Sequence, residues 1–118
     1  MFLTRATFDT TREPIVASFV WDGQLPRTGA VLWQVVVHSK DRQSVRRLGY
    51  KIVDAQPSAQ FVWDEGGAWQ ATPEHDADLE ANRLTARFNP LALHGMGNDW
   101  TWEAVLSVDG QDLGKFQP

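Results

Sequence analysis

The stretch Trp100-Thr101-Trp102-Glu103-Ala104-Val105-Leu106-Ser107-Val108, followed by Asp109-Gly110, decides the fold. Trp100, Trp102, Ala104, Leu106 and Val108 recur with a period of two, and Thr101, Glu103, Val105 and Ser107 take the alternate positions. Successive side chains of a strand point to opposite sides of its sheet, so the tryptophans define a core face and Thr101 and Glu103 a wet face. Asp-Gly suits a tight hairpin, whose central residues take positive φ. A short edge strand over Asp112 to Phe116 is expected to follow.

The same alternation recurs upstream. Leu48, Tyr50 and Ile52 oppose Arg47, Gly49 and Lys51, while Leu84, Ala86 and Phe88 oppose Arg83, Thr85 and Arg87. Further strand-sized segments cover Phe2 to Phe8, Ile15 to Trp21, Ala30 to His38, Gln60 to Trp63 and Trp69 to Ala71, with turn chemistry at Asp22-Gly23, Lys40 to Ser44, Asp54 to Pro57 and Glu65-Gly66-Gly67. Short strands separated by turns at about ten-residue intervals predict an all-β chain. The expected architecture is an antiparallel β-sandwich of eight or nine strands in a single domain over residues 1–118, with a small closed β-barrel as the alternative. Asn89-Pro90 through Gly95 is the place for a short helix near residues 90–95, because Asn caps, Pro fits the first turn and Gly terminates. Ile15 to Trp21 and Val31 to Val37 are apolar on both faces, so those strands are central, covered, or buried against another subunit.

Composition agrees with an ordinary globular chain: 118 residues, 42% apolar and 22% charged, enough for one core without covalent staples. The absence of cysteine excludes disulfides, zinc ribbons, Cys-ligated iron–sulfur clusters and thiol nucleophiles. With 11 Lys and Arg against 15 Asp and Glu, nucleic acid is not an expected partner. No apolar run reaches the length of a spanning helix, so no membrane span is expected. Met1 to Arg5 lacks a leader pattern. A cytoplasmic location follows if the chain is the full primary product, and a secreted one if a leader was removed.

Six tryptophans must be divided between core and surface. Trp33, Trp100 and Trp102 lie in phase with aliphatic neighbours and are assigned to the core. Trp63 and Trp69 bracket Asp64-Glu65-Gly66-Gly67-Ala68 and face each other across a hairpin of suitable length, while Trp21 stands at a strand end before Asp22-Gly23. Trp63, Trp69, Asp64, Glu65 and Trp21 are therefore the expected ligand-binding set, indoles stacking a sugar ring beside carboxylates that take its hydroxyls.

Other constellations carry less. Glu74-His75-Asp76-Ala77-Asp78-Leu79-Glu80 spaces its carboxylates by two but lacks the glycine and terminal glutamate of a calcium loop. His38, His75 and His94 have no local clamp spacing, so no metal and no cofactor is expected. Motifs for a hydrolase serine, a phosphate loop or a zinc protease are missing, and no catalytic residue is assigned. Glu103 with Asp64 or Glu65 is the carboxylate pair in question for acid–base work. Lys40, Arg42, Arg46, Arg47 and Lys51, with Arg83 and Arg87, form either an anion patch or the charged protection of sheet edges.

The function expected is a non-catalytic binding or interaction module, taking a carbohydrate or protein ligand through strand-end aromatics. A small β-barrel carrier or isomerase-type enzyme for a hydrophobic small molecule is one alternative, and a structural subunit of a homo-oligomer is another.

Overall fold

The computed structural model describes residues 1–65, 69–71 and 75–118, residues 69–71 in their backbone alone. The described residues form ten strands: β1 (Phe2–Asp9), β2 (Ile15–Asp22), β3 (Ala30–His38), β4 (Val45–Val53), β5 (Gln56–Asp64), β6 (Trp69–Ala71), β7 (Ala77–Leu79), β8 (Arg83–Phe88), β9 (Thr101–Val108) and β10 (Gln111–Phe116). They make a four-stranded sheet, β1-β2-β8-β7, and a six-stranded sheet, β10-β9-β3-β4-β5-β6, with every pairing antiparallel. The sandwich expectation holds and the closed barrel does not. β1 and β10 come close, since a Cβ on Gly114 would lie 3.0 Å from the Leu3 backbone nitrogen, yet they share no ladder and the sheets stay separate.

β2 and β3 are interior strands of their sheets, which accounts for their apolar character on both faces. One element escapes the hydrophobic pattern. β7 lies in a polar stretch read as loop; it pairs with β8 through a short ladder, to which Arg87 adds ion pairs with Asp76 at 2.9 Å and Asp78 at 2.8 Å and a backbone N–H donated to the Asp76 carbonyl. The Pro90–Leu93 turn is a 3-10 helix, with the Asn89 carboxamide accepting from the Leu91 N–H at 2.9 Å.

The inward faces meet through a line of rings. Trp21 on β2 lies 5.2 Å from Trp33 on β3, and Trp33 lies 6.4 Å from Tyr50 on β4; all three are buried. Burial also pushes the Tyr50 hydroxyl above its ordinary pKa. Of the three indoles assigned to the core, Trp33 is enclosed, whereas Trp100 and Trp102 are half-buried at one end of the sandwich, around Phe8 and Phe116. β10 ends opposite Ala104, so no strand covers that side of Trp102. Trp21 makes the opposite correction: read as a rim residue, it is 2% exposed. Its strand end is not an end of the core, because Phe2 of β1 still pairs with Asp22 and Asn82 binds the Trp21 and Gly23 carbonyls.

Polar links fix the two sheets. Gln60, buried on the inward phase of β5, donates to the Arg87 carbonyl at 2.7 Å and accepts from the Asp76 N–H at 2.8 Å, joining the six-stranded sheet to the edge of the four-stranded one. Asp54 and Asp109, both at positive φ in hairpin turns, accept from the Gly29 and Ala30 N–H groups and hold the start of β3.

Trp33→Ala removes an enclosed indole and is expected to cost about 3–5 kcal/mol of stability. Trp102→Ala is expected to cost clearly less, because its ring is already part-solvated. Urea unfolding of the two variants side by side checks this, and equal losses would contradict the placement of the rings.

Candidate functional site

The outer face of the six-stranded sheet carries the site. Register places Glu103 of β9 beside Val36 of β3, Val36 beside Arg47 of β4, Arg47 beside Trp63 of β5 and Trp63 beside Trp69 of β6. Antiparallel neighbours share a face, so Glu103, Val36, Arg47 and Trp63 form one transverse row, spanning about 14 Å at the usual strand spacing. The Arg47 guanidinium lies 5.7 Å from the centre of the Trp63 ring, and its Nη1 donates to the Gln34 carboxamide at 3.3 Å. Val36 is 2% exposed despite facing outward, which means the long side chains around it close over the sheet.

The next row shows why a glycine stands in β4. Val105, Gln34, Gly49, Phe61 and Ala71 are neighbours in register. A Cβ on Gly49 would meet the tip of the Phe61 ring at a distance no real contact allows. The ring therefore lies across bare backbone, and Phe61 is buried on an outward face.

A hollow of about 510 Å³ closes the β9 end of the row. Residues 101–103 extend past the last β10 pair, so the opening wraps around a free strand edge. Trp102 lines it from the core side, Thr101 and Glu103 from the outer side, with His38, Arg42 and Gln117 around them. Glu103 is held between two partners: His38 Nε2 lies 3.8 Å from its Oε1, and Gln117 Nε2 donates to its Oε2 at 3.1 Å. A second hollow, at the opposite end of the same face, is lined by Leu32, Lys51, Phe61 and Ser107 among others. Carboxylate, imidazole, carboxamide and hydroxyl groups around half-buried indoles can exchange hydrogen bonds with a polyol and stack on its apolar side.

The expected binding residues divide. Trp63 is half-buried within the row, and Trp69 is its register partner, but the Trp69 side chain and the intervening Gly66-Gly67-Ala68 lie outside the described residues. Asp64 takes the opposite phase of β5, opposite Arg46, and its Oδ2 lies 3.5 Å from the Arg46 guanidinium. Glu65 prolongs the ladder through its N–H to the Val45 carbonyl and has an exposed side chain. Trp21, buried between the sheets, takes no part. Glu103 and Asp64 point to opposite sides of one sheet, so they do not form the facing carboxylate pair that glycoside hydrolysis requires.

The basic cluster is dispersed. Arg46 turns inward, and its Nη1 donates to the carbonyls of Ala92 at 3.1 Å and His94 at 2.6 Å, so it anchors the 3-10 helix. Arg47 lies over Trp63, Lys40 faces Asp99 at 3.9 Å in solvent, and Arg87 is taken up by Asp76 and Asp78. Those two aspartates belong to the acidic stretch, whose Glu74 lies outside the described residues. Among the described residues no group of three acidic or histidine side chains is placed to hold a metal, and no helix is long and apolar enough to cross a membrane.

Comparison with protein-family models, with curated proteins and with solved structures gave no match. The residues that sequence reading passed over are His38, Thr101, Gln117 and the Gly49–Phe61 pair. His38, Thr101, Gly49 and Phe61 share the outward phase of their strands, while Gln117 follows the last strand; what the sequence lacks is the register that sets β3 beside β9.

Arg46→Met removes two hydrogen bonds from a charged donor, one part-buried and one exposed, and is expected to cost about 2–4 kcal/mol, measured by denaturant unfolding. Gly49→Ala is expected to cost about 1–3 kcal/mol by displacing the Phe61 ring. In a double-mutant cycle, Phe61→Ala should relieve most of that cost, and additive losses would show that the ring does not cover Gly49.

Proposed function

We propose that this domain is a non-catalytic binding module and that its ligand is a carbohydrate chain lying across the outer face of the six-stranded sheet. The observation that carries the reading is the transverse row running from Trp63 and Arg47 to Glu103, with a hollow at its β9 end. Indoles offer flat apolar surface to a sugar ring, and the polar groups beside them satisfy its hydroxyls. The solid interior also supports the reading, since the inward faces are filled by Trp21, Trp33 and their neighbours, and a carrier or isomerase-type barrel needs an enclosed lumen.

Titration of tryptophan emission with soluble oligosaccharides and polysaccharides tests the proposal. A saturable change is expected for at least one glycan, with Trp63→Ala weakening it by about tenfold, or 1.4 kcal/mol. Trp69→Ala should act in the same direction. Silence towards all glycans, or binding indifferent to Trp63→Ala, counts against a carbohydrate ligand. A concentration-dependent rise in mass by light scattering would instead assign the face to a second copy of the chain.

A further inference from the structure

We propose that the outer face of the four-stranded sheet, on the far side of the molecule from the aromatic row, carries an oxyanion site formed by Arg5 and Arg83 with the hydroxyls of Thr7 and Ser18. A tetrahedral phosphate or sulfate group fits it. Register sets Arg5 beside Val20 and Val20 beside Arg83, so the two arginines flank one short apolar residue, about 10 Å apart at the backbone. The neighbouring row is Thr7, Ser18 and Thr85, with Ser18 Oγ 3.5 Å from Thr85 Oγ1. Between the rows lies a hollow of about 220 Å³, lined by Arg5, Thr7, Ser18, Val20 and Arg83 together with Ala6.

Three features point to an anion rather than to ordinary surface charge. No carboxylate lines the hollow, in a chain where acidic residues outnumber basic ones by 15 to 11. Among the described residues Arg5 and Arg83 make no ion pair, as is also true of Arg12, Arg27, Arg42 and Arg47, so the charge of both is not already taken up by a carboxylate. Two like charges lining one hollow repel each other, and a counter-charge bound there would relieve that repulsion. Guanidinium forks and hydroxyl donors together match the several acceptor oxygens of a tetrahedral anion.

The third feature is the backbone. The β1 register shifts between Leu3 and Arg5, leaving Thr4 as the extra residue of a bulge. Alternation from buried Leu3 would turn Arg5 inward, alternation back from buried Ala6 turns it outward, and the bulge reconciles the two. The bulge lets Thr4 and Arg5 both face outward before Ala6 returns inside, and the Thr4 hydroxyl fixes it by donating to the Val20 carbonyl at 3.1 Å. Bulges commonly re-aim a side chain in this way beside functional positions. This one sets Thr4 and Arg5 on the outer face that Arg83 shares across Val20.

The test follows the arginine Nε–H resonances of 15N-labelled protein during titration with inorganic phosphate, inorganic sulfate, a sugar phosphate and a sugar sulfate. Saturable shifts are expected at Arg5 and Arg83, with exposed Arg12 as the control that stays still. Arg83→Gln or Arg5→Gln should each weaken binding by about tenfold, and added salt should weaken it further. Esters binding more tightly than the free ions would identify the oxyanion as part of a larger ligand, and equal affinities would identify the ion itself. Trp63→Ala should leave all of this unchanged, which separates the site from the aromatic row. Resonances that move only in proportion to ionic strength, or an Arg83→Gln variant of undiminished affinity, would overturn the proposal.

Discussion

The contact between Trp21 and Trp33 sets what this domain can do. A buried indole removes about 150–250 Å² from water, worth roughly 4–6 kcal/mol at about 25 cal/mol per Å². Neither indole N–H has a hydrogen-bonding partner among the described residues, a desolvation cost of about 1–3 kcal/mol each. Burial wins, and the pair fills the space between the two sheets as a tilted stack continued by Tyr50. With the interior occupied, the surface open to a ligand is that of the outer faces and strand edges.

Polar groups locate the sheets that the rings hold together. Gln60 is buried among apolar side chains, yet both ends of its carboxamide are satisfied by backbone of the other sheet. A satisfied buried amide fixes position more sharply than an aliphatic contact, because a small shift leaves it unpaired. Arg46 does the same for the crossing between β8 and β9, gripping the carbonyls at the end of the 3-10 helix. These links stand on the neighbouring strands β5 and β4, four residues apart in register, and together tie the six-stranded sheet to the chain on both sides of β8.

The all-β sandwich was legible in alternation and turn chemistry. The strand over Thr101 to Val108, the Asp109-Gly110 hairpin and the Asn89-Pro90 cap all read locally and all lie where local reading puts them. What failed to read was long-range. Trp21 lies deeper than expected, and Trp100 and Trp102 pack against the core only in part, because burial at a strand end depends on whether a neighbouring strand runs on past it. β7 was hidden because a short ladder and the Arg87 ion pairs, not apolar area, hold it. The site was half legible: Trp63 could be singled out by its neighbours in sequence, but Arg47, Val36 and Glu103 join it only through the registers of β3, β4 and β9. The bulge that sets Thr4 and Arg5 on one face leaves no mark on the residue pattern alone.

Two outer faces of different chemistry thus flank a closed core, one with indoles and mixed polar groups, the other with arginines and hydroxyls. The claim beneath both is that nothing enters between the sheets. Hydrogen exchange at the six indole N–H groups tests it most directly. The account predicts that Trp21 and Trp33 exchange only when the whole domain unfolds, at the slowest rate in the molecule, while Trp63 exchanges quickly. Rapid exchange at Trp33, at a rate near that of Trp63, would mean an open interior and would contradict it.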